Sequence, residues 1–156
     1  MNEIASTTVL ISGGAGAMGQ LTSEYLNSRE DYVLSAIYDP NYEGKEYDVY
    51  KELTDIKEDL VIEFSPANII NENVMKLIDS DADIIIGSSG LSPESLTNLK
   101  KAAINRKIIV IPNFSVGAAY QKIFSNSLSS KFKSVNIIEK HHSKKQDAPS
   151  GTAYDL

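Results

Sequence analysis

Short apolar runs alternate with amphipathic stretches along most of the chain. The runs are rich in Val and Ile and occupy residues 7–12, 32–38, 60–64, 83–86 and 107–111. Nearly continuous apolar runs of this length are typical of strands buried on both faces of a parallel sheet. Because helical patterns separate them, the chain is predicted to adopt an α/β fold, a doubly wound parallel sheet with helices on both faces.

Four stretches have the residue spacing of amphipathic helices. The second helix is expected to begin with Ser65 as N-cap and Pro66 in the first turn, and the third at Ser92 and Pro93. Residues 40–58 between strands are charged and rich in tyrosine, which favours a surface loop. The core-facing positions are predicted to be Met18, Leu21, Tyr25 and Leu26 in the first helix, Ile70, Val74, Leu77 and Ile78 in the second, and Leu96, Leu99, Ala102 and Ala103 in the third. The fourth helix is predicted to bridge the domains, and its apolar residues are Val116, Tyr120, Ile123, Phe124 and Leu128.

A glycine-rich turn follows the first predicted strand directly. Gly14, Gly16 and Gly19 fit the spacing G-x-G-x-x-G, and Gly13 with the last two fits G-x-x-G-x-x-G. Glycine at such positions allows a tight turn, close approach of the backbone to a pyrophosphate, and contact between helix and strand. A glycine turn without a ligand is the alternative. The strand before the turn and the helix after it favour a dinucleotide site in a Rossmann-like sheet.

Asp39 follows the second predicted strand, about 20 residues after Gly19, where dinucleotide-binding folds place the acid that bonds the adenosine ribose. The sequence Asp-Pro-Asn is also a common turn. The position after the strand favours the ribose role. All of these motifs lie just past the carboxyl end of a predicted strand, where open parallel sheets bind their ligands.

Both histidines of the chain stand side by side, His141 and His142, with lysines at 140, 144 and 145. Histidine is the usual proton donor at neutral pH, and lysine supplies positive charge. Residues 150–152 read Ser-Gly-Thr and predict a helix start, whose free N–H groups favour an anion. The segment therefore predicts a site that protonates and holds a small acidic molecule. A solvated basic loop followed by a helix cap is the alternative.

The sequence of residues 139–153, E-K-H-H-S-K-K-Q-D-A-P-S-G-T-A, closely resembles the signature of the dihydrodipicolinate reductase (4-hydroxy-tetrahydrodipicolinate reductase) family. Residues 87–90, Gly-Ser-Ser-Gly, resemble the family's Gly-Thr-Thr-Gly, and residues 112–117 also match. The resemblance implies a nicotinamide-dependent oxidoreductase of the diaminopimelate route to lysine. Its substrate would be a small cyclic dicarboxylate, 4-hydroxy-tetrahydrodipicolinate, reduced to tetrahydrodipicolinate.

The resemblance also implies roles for individual residues. His141 would be the proton donor, and Lys145 a second donor or a stabiliser of developing negative charge. The implied substrate-binding residues are His142, Ser150, Gly151 and Thr152. The implied cofactor-binding residues are Gly13, Gly14, Gly16, Ala17, Met18, Gly19, Asp39, Gly87, Ser88, Ser89, Pro112, Asn113 and Phe114. No metal site is expected.

Two positions bear on the choice between NADH and NADPH. Family members that use the phosphorylated cofactor well carry a basic residue directly after the acid and another in the glycine loop. Here these positions are Pro40 and Ala17, and Asp39 itself would repel a 2′-phosphate. Lys45 is the nearest downstream cation. NADH is therefore predicted to be used at least as well as NADPH.

Two domains are predicted: a dinucleotide-binding domain at 1–117, and at 118–156 a connecting helix with the beginning of a mixed α/β substrate domain. Residues 133–139 are expected to form a strand of a second sheet that delivers the histidines. Family members continue beyond the position of Leu156. We therefore expect residues 1–156 to be the first part of a longer protein, since that strand would otherwise stand almost unsupported. A polypeptide ending at Leu156 is expected to bind dinucleotide but not to reduce substrate, because its substrate wall is incomplete.

Composition narrows the possible partners and compartment. The net charge of −6 argues against a nucleic-acid partner, and the absence of cysteine excludes disulfides and thiolate metal sites. No apolar run approaches the ~20 residues that span a membrane, so a cytoplasmic protein is expected. The resemblance implies a homo-oligomer, a homotetramer. Another Rossmann oxidoreductase acting on an amino-acid-derived acid, and a non-catalytic nucleotide-binding module, remain the alternatives.

Overall fold

The computed structural model describes residues 6–111, 113–141, 149–154 and 156. The chain forms two compact units, Met1–Ile111 and Pro112–Leu156. The first unit holds a six-stranded sheet and the cleft described below, and the second holds the histidine segment.

All six strands of the first unit are parallel and lie in the order β3-β2-β1-β4-β5-β6. The order grows outward from β1 in both directions, so the sheet reverses its winding between β1 and β4. The predicted Rossmann-like α/β fold is confirmed. The strands are β1 (Thr7–Ser12), β2 (Tyr32–Tyr38), β3 (Asp48–Val49), β4 (Leu60–Glu63), β5 (Asp83–Ile86) and β6 (Ile108–Val110).

The core lies on both faces of this sheet. Side chains of successive residues of a strand point to opposite faces. Accordingly Leu10 belongs to one buried cluster with residues of the second and third helices, whereas Val9 and Ile11 belong to another with Leu26 of the first. The helices are α1 (Ala17–Asn27), α2 (Ile70–Leu77) and α3 (Pro93–Ala102) in the first unit, and α4 (Val116–Ser129) and α5 (Gly151–Tyr154) in the second.

The predicted core faces of the helices are confirmed for α2 but only in part for α1 and α3. In α1 Leu26 is buried, whereas Leu21 and Tyr25 are 60% and 59% exposed. The buried side of α1 is set by Gly19, which touches the glycine loop and shares a face with Leu26, one heptad later. In α3 the buried pair is Ser95 and Leu99, because the Ser95 hydroxyl donates to the side chain of an asparagine in α2, and the exposed positions are Leu96 and Ala103.

The predicted start of α2 is wrong by one turn. Ser65 and Pro66 precede a turn, and the helix begins at Ile70, after the N–H groups of Ile69 and Ile70 have both bonded the Pro66 carbonyl. The Ser65 hydroxyl is engaged elsewhere, accepting a hydrogen bond from Asn73 at 2.9 Å. The predicted cap of α3 is confirmed, since the Ser92 side chain accepts from the Ser95 N–H.

Residues 40–58 are not simply a surface loop. They contribute the short edge strand β3, and Leu53 is 1% exposed in the core. A single leucine among charged residues is a weak pattern, and its burial is decided by the core cluster with Leu10 and Val61 that it joins.

One expectation for the second unit is wrong, because residues 133–139 have no regular secondary structure. The predicted fourth helix is present as α4, and its five apolar residues are all more than half exposed. Strands need a paired neighbour and an amphipathic helix needs a second layer to cover it. The described residues of this unit supply neither. The five residues are Val116, Tyr120, Ile123, Phe124 and Leu128.

Arg106 stabilises the carboxyl end of α2. Its guanidinium donates to the carbonyls of Leu77 at 3.3 Å and Ala82 at 3.2 Å, and to those of Ile78 and Ser80. Arg106→Ala is expected to lower the free energy of unfolding by about 2 kcal/mol, because charge-assisted bonds to orphan helix carbonyls are lost. Urea denaturation measures this. Lys107→Ala, which removes an exposed cation 3.6 Å from Asp83, is the matched control and should change little; an equal loss would contradict the cap.

Candidate active site

A cleft of about 310 Å³ opens at the carboxyl ends of β1, β2 and β4. This is the point where the sheet reverses its winding, and open α/β sheets bind ligands at such points. The described residues that line it include no lysine or arginine. They are Gly13, Ala15, Gly16, Tyr38, Asp39, Pro40, Asn41, Phe64, Ser65, Pro66 and Ile69.

Three glycines are required by packing, two in the loop between β1 and α1 and one, Gly19, in the first turn of α1. Gly13 has φ +83°, and a Cβ there would lie 2.9 Å from the carbonyl carbon of Phe64. A Cβ on Gly14 would lie 2.6 Å from Ile37 Cγ2. A Cβ on Gly19 would lie 2.3 Å from the Gly13 carbonyl oxygen. Their absent side chains let α1 sit directly on the loop.

Gly16 is different, because it faces the cleft. A Cβ there would have one close neighbour, the Gly13 carbonyl oxygen at 3.3 Å. Gly16 is the N-cap of α1, no side chain caps this helix, and Ala17 and Met18 in its first turn are exposed. The N–H groups of the helix start therefore face an open space, which suits the pyrophosphate of a dinucleotide. The residues present fit such a cofactor.

Asp39 ties the end of β2 to the glycine loop. Its Oδ2 accepts the Ala15 N–H at 2.9 Å, and its Oδ1 accepts the Asn41 N–H at 2.8 Å. A carboxylate has about four acceptor positions, so lone pairs remain for the two hydroxyls of a ribose. The structure thus brings the predicted ribose acid to the cleft and adds a second role, that of an anchor for the loop.

The loop after Asp39 is ordered by Tyr42 and Glu46. The Tyr42 hydroxyl and the Lys45 N–H both donate to Glu46 Oε2 at 3.0 Å. Desolvation and this carboxylate raise the pKa of Tyr42 to about 12, so its hydroxyl remains a donor at neutral pH. Lys45 is exposed and does not line the cleft.

The turn after β5 contains the predicted residues Gly87, Ser88 and Ser89. The Gly87 N–H and the Ser88 hydroxyl donate to the Glu63 carbonyl at 2.9 and 3.3 Å. Ser88 is therefore buried and bonded to the neighbouring strand, whereas Ser89 is exposed. Ser89, and not Ser88, therefore exposes its side chain to solvent at the carboxyl ends of the strands.

In the second unit Asn113 joins two predicted motifs. Its Nδ2 donates to Thr152 Oγ1 at 2.9 Å, and its Oδ1 accepts the Ser115 N–H at 2.7 Å. A residue expected to bind the cofactor thus contacts one expected to bind the substrate. Phe114, next to it, is 45% exposed.

Glu139 connects the histidine segment to the start of α5. The Ser150 N–H donates to both of its carboxylate oxygens, at 2.9 and 3.2 Å, and His141 Nδ1 lies 3.8 Å from Oε2. Ser150 in turn accepts the Ala153 N–H at 3.1 Å, so the predicted helix start at Gly151 is confirmed. His141, Ser150 and Thr152 therefore share one short region. Pro112, His142 and Lys145 lie outside the described residues.

Several residues at these sites were not assigned roles from the sequence. Ala15 and Asn41 line the cleft, and neither was assigned a role from the sequence. Glu139 is the first residue of the histidine motif, and its negative charge close to two histidines is the sequence feature that could have indicated its role. Glu63 is an acid inside an apolar run, which is also unusual.

Among the described residues, no group of three or more His, Cys, Asp or Glu side chains is arranged to hold a metal ion. None of the helices described is both long and apolar enough to cross a membrane.

Two family profiles match this chain, and they meet close to the boundary between its two compact units. The profile described as "Dihydrodipicolinate reductase, N-terminus" matches residues 7–114, and that described as "Dihydrodipicolinate reductase, C-terminus" matches residues 115–156. The 4-hydroxy-tetrahydrodipicolinate reductase of Coxiella burnetii is 37% identical over 147 residues, and that of Bifidobacterium longum subsp. infantis is 33% identical over 151. Each alignment covers 93% of this chain and 59% or 58% of the relative, so the chain spans less than two thirds of their length.

Solved structures agree with these relatives. A dipicolinate-bound dihydrodipicolinate reductase from a Paenisporosarcina species superposes with a TM-score of 0.75 and 31% identity, covering 96% of this chain and 63% of that one. A scyllo-inositol dehydrogenase from Lactobacillus casei with bound NAD(H) has a TM-score of 0.59 at 15% identity, which is a likeness of fold alone. The match of two adjoining profiles over residues 7–156 places the chain in the dihydrodipicolinate reductase family.

Proposed function

We propose that this chain carries the cofactor-binding part and the proton-donating segment of a 4-hydroxy-tetrahydrodipicolinate reductase. The observation that carries the proposal is the Glu139 contact. One carboxylate bonds the Ser150 N–H and lies 3.8 Å from His141, which joins a proton donor to an anion-binding helix start. The relatives' names supply the reaction, and the dipicolinate bound to the Paenisporosarcina enzyme supports a small dicarboxylate substrate.

The cofactor, a pyridine nucleotide, would supply a hydride when bound. Gly16, Ala17 and Met18 would receive its pyrophosphate at the start of α1, and Asp39 its adenosine ribose. Gly87, Ser89 and Phe114 are assigned to its nicotinamide half through the family resemblance, as is Asn113.

The remaining roles concern the substrate. Hydride addition builds negative charge on the substrate ring, and His141 would donate the proton that neutralises it. Lys145 would stabilise that charge or donate in its place. His142, Ser150, Gly151 and Thr152 would hold the carboxylates. Glu139, which bonds the Ser150 N–H and lies 3.8 Å from His141, keeps these two residues side by side.

The test of the function is turnover by the protein with NADH and 4-hydroxy-tetrahydrodipicolinate. Loss of NADH absorbance that depends on the dicarboxylate supports the reductase. Cofactor binding without turnover in a protein as long as its relatives would instead favour a non-catalytic nucleotide-binding module. Turnover of a different amino-acid-derived acid would favour another oxidoreductase.

NADH is predicted to bind at least as tightly as NADPH. The cleft presents the carboxylate of Asp39 and, among its described lining residues, no cation to pair with a 2′-phosphate. Pro40→Arg, which places a guanidinium beside the ribose, should strengthen NADPH binding about tenfold and leave NADH binding nearly unchanged. Titration of both cofactors at low and physiological salt measures this.

The matched control for this prediction is Lys45→Gln. Lys45 is exposed and lies outside the cleft, so its loss should not alter the ratio of the two affinities. A clear NADPH preference at physiological salt that disappears in Lys45→Gln would contradict the prediction and identify Lys45 as the phosphate partner.

The proposal includes the arrangement of the protein. Residues 1–117 are assigned to the dinucleotide-binding domain and 118–156 to the connecting helix and the beginning of the substrate domain. By resemblance the protein would be a homotetramer in the cytoplasm. Sedimentation of the purified protein measures the assembly state.

A further inference from the structure

Glu63 is a buried acid at the carboxyl end of β4. Its exposure is 0%, in an otherwise apolar strand. Its Oε1 accepts the Ser65 N–H at 2.5 Å, and its Oε2 lies 3.4 Å from the donating Asn73 Nδ2. A buried carboxyl group is costly unless it is hydrogen-bonded, and none of the proposed catalytic roles uses it. Its position therefore calls for a physical reason.

The carboxyl group belongs to a buried polar network. Asn73 Nδ2 also donates to Ser65 Oγ at 2.9 Å, and Ser65 Oγ lies 3.1 Å from Ser12 Oγ. The network joins the ends of β1 and β4 to α2. No buried polar side-chain atom among the described residues lacks a partner. A fully bonded network of this kind holds its members in one geometry.

The network holds the turn of residues 64–66, which forms one wall of the cleft. This turn lies directly against the glycine loop, because a Cβ on Gly13 would be 2.9 Å from the Phe64 carbonyl carbon and 3.1 Å from the Ser65 nitrogen. The Phe64 N–H also donates to the Ser12 carbonyl at 2.8 Å. A shift of Ser65 would therefore move this wall of the cleft, whereas the glycine loop is also held from the other side by Asp39, which accepts the Ala15 N–H.

We propose that Glu63 is a positioning residue for the dinucleotide. Through the Ser65 N–H it holds the turn of residues 64–66 in the shape that receives the half of the cofactor lying over β4. The inference rests on the proposed function, since it requires that the cleft binds a dinucleotide. Dinucleotides cross the point where the winding reverses, so Asp39, directly after β2, meets the adenosine half and the end of β4 meets the other half.

The test compares NADH with AMP, which contains the adenosine half alone. Glu63→Ala should weaken NADH binding about tenfold, the effect of one well-placed hydrogen bond, and leave AMP binding within about twofold. Glu63→Gln should restore NADH binding, because its carbonyl oxygen still accepts the Ser65 N–H. A general loss of stability would weaken the binding of NADH and AMP to the same extent.

Glu58→Ala is the matched control. This second glutamate is partly buried and accepts hydrogen bonds from the hydroxyls of Ser35 at 3.2 Å and Tyr50 at 3.1 Å. It precedes β4 and so lies at the amino ends of the strands, whereas the cleft lies at their carboxyl ends. It should leave the ratio of NADH to AMP affinity unchanged. If Glu63→Ala does not fold, Glu63→Asp replaces it with the same expectation, because the shorter side chain withdraws from Ser65.

The outcomes separate this inference from the proposed function. A protein that binds NADH equally well with and without the Glu63 carboxyl group, or that loses NADH and AMP binding in equal measure, overturns the positioning role alone. A wild-type protein that binds neither nucleotide overturns the proposed function, and the positioning role with it.

Discussion

Gly19→Ala is expected to destabilise the protein by about 3 kcal/mol or more, a large part of the stability of an ordinary domain. The added Cβ would lie 2.3 Å from the Gly13 carbonyl oxygen and 2.6 Å from Gly14 Cα. Both neighbours are backbone atoms, so no side chain can rotate away, and α1 must separate from the loop. The midpoint and slope of urea denaturation measure the loss.

Gly16→Ala is the matched variant in the same glycine motif, three residues earlier at the N-cap of α1. Its Cβ would meet one protein atom, at 3.3 Å, so stability should fall by about 1 kcal/mol or less, the difference between glycine and alanine at an N-cap. The methyl group would instead occupy the space proposed for the pyrophosphate, and NADH binding should weaken about tenfold or more. Equal destabilisation by the two substitutions would contradict the distinction drawn between packing and cofactor glycines.

His141→Gln is expected to reduce kcat about a hundredfold or more, the usual scale of general-acid catalysis. Glutamine keeps a polar side chain but cannot deliver a proton to a substrate anion. Lys145→Ala should also reduce kcat strongly, because charge stabilisation is lost at the same step. The kcat of each variant is measured at saturating NADH and 4-hydroxy-tetrahydrodipicolinate, in the form of the protein whose wild type turns over the substrate.

Lys140→Gln is the control for His141. It removes a positive charge from the adjacent residue, which is exposed and has no proposed role in the reaction. Its kcat should stay close to that of the wild type. A kcat near the wild-type value in both His141→Gln and Lys145→Ala would overturn their assignment, and a comparable loss in Lys140→Gln would show that net charge, not proton donation, is what the segment supplies.

The family and the sheet were accessible from local sequence patterns. Buried parallel strands are continuous apolar runs, and a glycine loop between strand and helix is a local requirement of backbone geometry, so both appear in the order of residues. The apolar faces of α1 and α3 were not accessible in the same way. In α1 the contact is made by Gly19, which has no side chain to contribute to a hydrophobic pattern.

The start of α2 shows how tertiary bonds override a local signal. Ser followed by Pro is a sound helix start in isolation. Here Glu63 and Asn73 both bond Ser65, which removes it from the capping role and leaves a turn before Ile70. The competing partners come from the preceding strand and from the helix itself. The spacing of residues along the chain does not predict that both will bond Ser65.

The sequence by itself determined the parallel sheet, the glycine loop, the acid after β2 and the membership of the family, because each of these depends on residues close together in the chain. Tertiary structure alone decided that Asp39 anchors the Ala15 N–H, that Glu139 joins His141 to Ser150, and that Glu63 is buried beneath the cleft. These are contacts between separate segments. Their partners are chosen by how the strands and helices pack, and packing is a property of the whole fold.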